Sequence, residues 1–185
     1  MENASPAEHL IIRETCILIF IDIQERLMPV IAERERVLEN AIRLARFSRI
    51  IGLPVVITEQ EKLGATLPEL KNELIDVSPI TKIHFNCFNN DIFSEQIKSS
   101  GKKTLVLTGV EAHICVAQTA LSGLSGFDVH VIEDATSSRT RENRLTAIER
   151  MRQAGVIITS TEMFIYELLQ KAGTEEFKAA LQLVK

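Results

Sequence analysis

Two kinds of hydrophobic pattern alternate along the chain. Short continuous apolar runs are followed by longer segments in which apolar residues recur every three or four positions. A continuous apolar run of this length is typical of a strand buried on both faces, and the longer spacing is typical of an amphipathic helix. Strands are therefore predicted at CILIFID (16–22), LPVVITEQ (53–60), KKTLVLTGV (102–110), DVHVIEDA (128–135) and VIITS (156–160), with a short strand near Ile80.

Helical spacing fills the segments between these runs. Residues 30–52 form a long amphipathic stretch that ends at Gly52, and residues 91–101 begin with the possible N-cap Asp91. Further helices are predicted within 63–74 and over 111–126 and 141–155, and Thr161 and Thr174 are the expected caps of two terminal helices. This alternation predicts a single α/β domain over residues 1–185. It has three layers, with a six-stranded parallel sheet of order 3-2-1-4-5-6 and helices on both faces.

That strand order predicts where a site would form. Strands 1 and 4 become neighbours at the switch point of the sheet, and ligands of such sheets bind beyond the carboxyl ends of the strands. Asp22 ends strand 1, Lys82 follows the short third strand, and Cys115 follows strand 4. A carboxylate, an ammonium group and a thiol are therefore expected to face one crevice.

The three groups permit nucleophilic acyl transfer. A thiol at a helix N-terminus beside a lysine has a stabilised thiolate, a nearby carboxylate can take its proton, and backbone N–H groups can bind the oxyanion of a tetrahedral intermediate. The alternatives are structural. Cys115 is equally well interpreted as a small core residue, and Asp22 with Lys82 as a buried ion pair.

Composition narrows the classes of function. The net charge is −4, and no run of Lys and Arg predicts a nucleic-acid surface. The longest apolar run, 16–21, is too short to span a membrane. The start MENASPAEHL lacks the basic and apolar regions of a secretory signal, and an odd number of cysteines, three, favours free thiols in a reducing compartment. We expect a cytoplasmic protein without a nucleic-acid or membrane partner.

Three sequence blocks resemble a known superfamily. ILIFIDIQERL, ITKIHFNCF and LTGVEAHICVAQTALSGLSGFDVHVIEDATSS are similar in type and order to the blocks of isochorismatase-like cysteine hydrolases, which include nicotinamidases and N-carbamoyl amidohydrolases. The resemblance runs from about residue 15 to 160 and is nearest to the isochorismatase-domain subgroup. It implies the Rossmann-like isochorismatase fold and a catalytic triad of Asp22, Lys82 and Cys115.

The resemblance also implies further features of the site and of its chemistry. It predicts a cis peptide between Val110 and Glu111, and an oxyanion hole made by the backbone N–H groups of Glu111 and Cys115. The expected reaction is hydrolysis of an amide or carbamoyl-type C–N bond of a small molecule through a thioester. The family further implies a homo-oligomer, a dimer or larger.

Two departures from the superfamily sharpen this prediction. Nicotinamidases bind a metal near the end of strand 2, where TEQEKLGATLPEL contains no histidine, so neither a metal nor another cofactor is expected. True isochorismatases lack the nucleophilic cysteine, so cleavage of a C–N bond is favoured over cleavage of a vinyl ether. A non-catalytic interaction protein and a thiol redox sensor are the alternatives on the same fold.

Other residues near these blocks are candidates for substrate contact. Gln24, Phe85 and Phe88 are predicted to line the pocket, against the alternatives of surface for Gln24 and core for the two aromatic rings. The roles of His84, His113 and Cys87 stay open, with packing favoured for Cys87 and a surface position for His113.

Overall fold

The strands form one parallel sheet. A computed structural model describes residues 10–184, and their six strands have the order β3-β2-β1-β4-β5-β6, with every neighbouring pair parallel. The predicted fold class and strand order are confirmed. Most of MENASPAEHL, on which the prediction about a secretory signal depends, lies outside the described residues. The strands are β1 (Cys16–Ile21), β2 (Val55–Gln60), β3 (Ile80–Lys82), β4 (Thr104–Val110), β5 (Asp128–Ser137) and β6 (Ile157–Thr159).

Helices connect the strands and follow the last one. The first helix begins at Arg34 and not near residue 30, because Met28–Val30 form a 3₁₀ turn and Glu33 has a left-handed backbone with φ 56°. The helix then ends at Gly52, whose φ is 66°. The helices are α1 (Arg34–Ile51), α2 (Pro68–Lys71), α3 (Asp91–Ser99), α4 (Ala117–Gly123), α5 (Arg141–Gln153), α6 (Thr161–Leu169) and α7 (Glu175–Val184).

Two of the three predicted helix N-caps are displaced by one residue. Asn90, not Asp91, accepts a hydrogen bond from a backbone N–H in the first turn of α3. Ser160, not Thr161, does the same for α6, whereas Thr174 accepts from the N–H of Phe177 as predicted. In each displaced case a polar residue with extended backbone precedes the predicted one and takes the capping role.

The sheet is buried on both faces, which confirms the three layers. Successive residues of β1 point to opposite sides, so that Leu18 and Phe20 join one core cluster and Ile17 and Ile19 join the other. Residues of α1, α6 and α7 complete the first cluster, and residues of α3, α4 and α5 complete the second. With both faces covered, the carboxyl edge of the sheet is the place where its polar residues gather.

The two central strands approach each other closely at Gly109. This residue pairs with Ile21 and has φ 135°, a conformation that L side chains rarely adopt. A Cβ atom at this position would overlap the backbone carbonyl of Ile21. The absence of a side chain therefore lets β4 end directly beside Asp22.

Candidate active site

The three residues predicted to form a triad lie together at the carboxyl edge. The Nζ atom of Lys82 is 2.7 Å from Oδ2 of Asp22 and 3.8 Å from Sγ of Cys115. Asp22, Lys82 and Cys115 are respectively 0%, 2% and 4% exposed. Three groups separated in the sequence thus form one contact cluster that is shielded from solvent.

Asp22 is fixed by the ends of two strands. Its backbone is left-handed with φ 56°, and its N–H donates to the carbonyl of Thr58 at 3.2 Å. One carboxylate oxygen accepts from the hydroxyl of Thr58 at 2.8 Å, and the other accepts from Lys82. Both oxygens therefore have a donor, as a buried carboxylate requires.

The ammonium group of Lys82 has three acceptors within reach. Besides Asp22, it donates to Oε1 of Gln60 at 2.9 Å and contacts Sγ of Cys115. Burial is the largest single influence on the pKa of Lys82 and lowers it. The negative charge of Asp22, the nearby Cys87 and Cys115 and the hydrogen bond to Asp22 together outweigh burial, so that the net pKa lies above its usual value. Lys82 is therefore a cation at neutral pH.

Cys115 lies in a widened helical turn. The prediction of a helix over 111–126 is correct in place, but residues Ala112–Val116 form a π-helical turn and α4 begins only at Ala117. The N–H groups of Ile114 and Val116 both donate to the carbonyl of Glu111 at the start of this turn. Single π turns inside helices occur frequently at functional sites.

The thiol of Cys115 is neutral in the unliganded chain. Burial raises the pKa of Cys115 far above the usual thiol value, and the carboxylate of Asp22 raises it further, whereas Lys82 acts in the opposite direction. The expectation of a stabilised thiolate is therefore wrong for this state, because the helix start is buried and an anion lies beside the thiol.

The predicted cis peptide between Val110 and Glu111 is also wrong. Among residues 10–184 no cis peptide bond is present. The chain instead turns after β4 through the left-handed backbone of Glu111, with φ 54° and ψ 63°. Within that same range the N–H of Glu111 donates to no backbone or side-chain acceptor, so it is available to a ligand.

Gln24 lies inside the protein and not on the surface. Its side-chain N–H groups donate to the carbonyl oxygens of Gln60 and Gly64 at 3.0 and 2.6 Å, and its side-chain oxygen accepts from the N–H of Gln60 at 2.8 Å. These bonds join the end of β2 to the loop that follows. They use the polar atoms that a substrate contact would need.

The two predicted aromatic pocket residues have different surroundings. Phe88 packs into the second core cluster, where its ring centroid lies 5.2 Å from that of Phe93 and 5.8 Å from that of Phe127. Phe85 is 51% exposed and follows Lys82 by three residues. Phe85 thus remains a candidate for substrate contact, whereas Phe88 has a packing role.

The three residues left open occupy distinct environments. His84 is exposed. His113 is partly buried, and its Nδ1 lies 3.0 Å from the hydroxyl of Ser138 and 3.4 Å from the carboxylate of Glu111. Cys87 is fully buried, and burial raises its pKa to about 11. Packing accounts for the position of Cys87, as predicted.

Sequence reasoning missed two site residues and the side-chain contact of a third. Thr58 and Gln60 lie two positions apart on β2, where Thr58 contacts Asp22 and Gln60 contacts Lys82. Their signal was the presence of polar residues at the end of an apolar strand. The side chain of Glu111 is buried and pairs with Arg139 at 2.5 Å, whereas the sequence predicted a role for its backbone N–H.

Among residues 10–184, no group of three His, Cys, Asp or Glu side chains is arranged so that it could hold a metal ion. No helix in this range has the length and apolar character needed to cross a membrane.

Comparisons with known proteins identify the family. The Isochorismatase domain matches residues 16–163. Isochorismatase domain-containing protein 2 of Danio rerio is 36% identical over 171 residues, which cover 91% of this chain and 86% of that protein.

Two solved structures have a similar fold. MAR1 ribonuclease of Caenorhabditis elegans has a TM-score of 0.89 and 32% identity, covering 95% of this chain and 92% of that one. The Escherichia coli YcaC protein, described as an octameric hydrolase of unknown specificity, has a TM-score of 0.88 and 28% identity, with coverages of 95% and 89%. The chain therefore belongs to the isochorismatase family.

Proposed function

We propose that the chain is a cysteine hydrolase that cleaves an amide or carbamoyl-type C–N bond of a small molecule through a thioester at Cys115. The observation that supports this most strongly is the buried contact of Asp22, Lys82 and Cys115 at the switch point of the sheet. A nucleophile, a base and a fixed cation within one cluster are the groups that covalent acyl transfer requires.

The first half of the reaction forms the thioester. The thiol proton passes to the carboxylate of Asp22, and the sulfur of Cys115 attacks the carbonyl carbon. The backbone N–H groups of Glu111 and Cys115 stabilise the resulting oxyanion. Asp22 then gives its proton to the leaving nitrogen, the C–N bond breaks, and an amine or ammonia departs.

The second half restores the thiol. The carboxylate of Asp22 takes a proton from water, and the water oxygen attacks the thioester carbon. The C–S bond breaks, the carboxylic or carbamic acid leaves, and Cys115 regains the proton. Lys82 remains positive throughout and stabilises Asp22 and the sulfur when each is negative.

The raised pKa of Cys115 determines when the thiolate forms. Because the free chain holds a neutral thiol, deprotonation takes place only with a substrate carbonyl in place to receive the sulfur. This sequence of events matches general-base catalysis by Asp22 better than a preformed thiolate.

A panel of small primary amides, N-carbamoyl compounds and ureides tests this proposal. We expect amine or ammonia release by the wild type, an acyl adduct at Cys115 in quenched samples by peptide mass mapping, and neither signal in Cys115→Ala. Cys87→Ala is the matched control, because it removes a buried thiol outside the proposed chemistry. Turnover that survives in Cys115→Ala would contradict the covalent scheme.

The same experiments distinguish the hydrolase from the alternative functions. RNA is included because a structural neighbour is named a ribonuclease, and we expect no cleavage of it. If no compound is turned over, capture of a protein partner would favour the interaction protein. Peroxide oxidation of Cys115 within minutes would favour the thiol sensor.

We further propose that the protein is cytoplasmic and forms a homo-oligomer with no nucleic-acid partner. The octameric assembly of the YcaC neighbour supports the oligomer. Sedimentation velocity of the chain tests it, and a monomer at micromolar concentration would contradict it. Fractionation of the source cells tests the location.

A further inference from the structure

We infer that Gln60 is a positioning residue that aims the ammonium group of Lys82 at Cys115. This inference rests on the proposed function, and it assigns a role to a residue outside the triad. Gln60 is the last residue of β2, and its Oε1 accepts a hydrogen bond from Nζ of Lys82 at 2.9 Å.

The side chain of Gln60 is held in one orientation. Its Nε2 donates to the carbonyl of Ile83 at 2.9 Å, directly after Lys82 in the chain. The same amide therefore holds both the tip of Lys82, through its oxygen, and the backbone beside Lys82, through its nitrogen. Turning the amide over would place two donors against the ammonium, so Oε1 must face Lys82.

The backbone of Gln60 is fixed as well. The amide of Gln24 accepts from the N–H of Gln60 and donates to its carbonyl, at 2.8 and 3.0 Å, and it also bonds the carbonyl of Gly64. Gln24 is completely buried. The side chains of Gln24 and Gln60 thus connect the loop after β2 to the ammonium group of Lys82.

The consequence for Lys82 follows from counting its donors. An ammonium group has three N–H bonds, and Asp22 and Gln60 accept two of them at 2.7 and 2.9 Å. With two of the three directions fixed, the remaining one is directed at the sulfur of Cys115, 3.8 Å away. A thiolate formed during attack meets an N–H already oriented toward it, so no reorganisation is required.

The neutrality of the amide is part of this role. A carboxylate in place of the amide would also accept from Lys82, but it would add a second anion and so oppose a negative charge on Cys115. Gln60 orients the cation without reducing its effect on the sulfur.

Two measurements without any substrate test this role. The first is the second-order rate of Cys115 alkylation by iodoacetamide between pH 7 and 10, followed by intact and peptide mass. Gln60→Glu, which is isosteric and adds one charge, should lower that rate about threefold or more at each pH. Gln96→Glu makes the same chemical change at an exposed site on α3 and should leave the rate unchanged.

The second measurement observes Lys82 directly. The protons on Nζ of a buried, hydrogen-bonded ammonium exchange slowly with water, which ¹⁵N spectra of the lysine side chain report. Gln60→Met removes one hydrogen bond and should accelerate that exchange about tenfold or more, whereas Gln96→Met should not. Folding of each variant is checked by circular dichroism. A folded Gln60→Glu variant with the wild-type alkylation rate, or a folded Gln60→Met variant with the wild-type exchange rate, would overturn the inference.

The two proposals fail in different ways. If amides are not turned over and no acyl adduct forms at Cys115, the hydrolase proposal fails. The ¹⁵Nζ exchange then still decides whether Gln60 fixes Lys82. If amides are turned over and Cys115 of Gln60→Glu is alkylated as fast as that of the wild type, only the role of Gln60 fails.

Discussion

Replacing Asp22 by Asn should separate the reactivity of Cys115 from turnover. The carboxylate of Asp22 raises the pKa of Cys115, after burial as the larger cause, so its removal lowers that pKa. The buried ammonium of Lys82, 3.8 Å from the sulfur, then takes the thiolate as its counter-ion. We expect Cys115 of Asp22→Asn to be alkylated faster than Cys115 of the wild type near neutral pH. We also expect this variant to lose turnover, because the proposed proton acceptor is gone.

The size of the effect follows from the charge that is removed. A close charge typically shifts a pKa by about one to three units, which corresponds to about 10 to 1,000 times more thiolate below the midpoint. A thiolate of lower pKa is also a weaker nucleophile, and with a Brønsted coefficient of about 0.5 roughly half of the logarithmic gain is lost. The rate of alkylation at pH 7 to 8 should therefore rise by about 3 to 30 times.

The assay compares second-order rates of iodoacetamide labelling between pH 6 and 10, with the site identified by peptide mass. Asp91→Asn, an identical change at an exposed position, controls for charge elsewhere on the protein. Circular dichroism and the urea midpoint establish that each variant is folded. A folded Asp22→Asn that labels more slowly than the wild type at every pH would refute this reasoning, because Asp22 would then promote the thiolate and not oppose it.

Three further predictions concern stability. Asp22→Asn and Lys82→Met should each lower the free energy of unfolding by about 3 to 5 kcal/mol, because each leaves a buried charge without its partner. In a urea double-mutant cycle the double variant should lose much less than the sum of the two single losses. Additive losses would contradict a coupled buried pair. Gly109→Ala should lower the free energy of unfolding by at least about 2 kcal/mol and abolish turnover, because its Cβ would overlap the backbone of Ile21. Gly126→Ala, where a Cβ meets no atom within 4 Å, should change neither property. Equal urea midpoints for the two variants would contradict the close approach of the strands. Burial raises the pKa of Cys16 from 9.0 to about 11, so the native state retains a proton that the unfolded chain loses as pH rises. The free energy of unfolding should fall between pH 9 and 11, by up to about 3 kcal/mol from this thiol, and Cys16→Ala should make that fall shallower. An unchanged slope in urea unfolding across this pH range would contradict the prediction.

The fold was predictable because its signals are local and repeated. Each strand is a continuous apolar run and each long helix has regular spacing, so the element order and the parallel sheet followed. Strand order then placed Asp22, Lys82 and Cys115 at one edge. The caps of α3 and α6 were displaced because neighbouring polar residues compete for that position, and residue types alone do not decide between them.

The charge state of the site and the local backbone conformation were harder to predict from the sequence. A helix N-terminus favours a thiolate, yet the depth of burial, which no sequence pattern gives, reverses the outcome for Cys115. The π turn and the left-handed backbone of Glu111 are not marked by residue type, because no glycine occupies the left-handed position. The roles of Gln24 and Gln60 depend on contacts across the loop after β2, where sequence spacing carries no information about pairing.

The neutral, enclosed thiol of Cys115 determines how sensitive the folded protein is to oxidants and electrophiles. Oxidants and electrophiles attack thiolates, and sensor cysteines are accessible and acidic, whereas this one is 4% exposed and protonated. The native chain therefore keeps this thiol latent, and the unfolded chain, with ordinary thiols, is the more vulnerable form. Latency of this kind weighs against the redox-sensor alternative, and it makes chemical damage at Cys115 a marker of chains that have lost their fold.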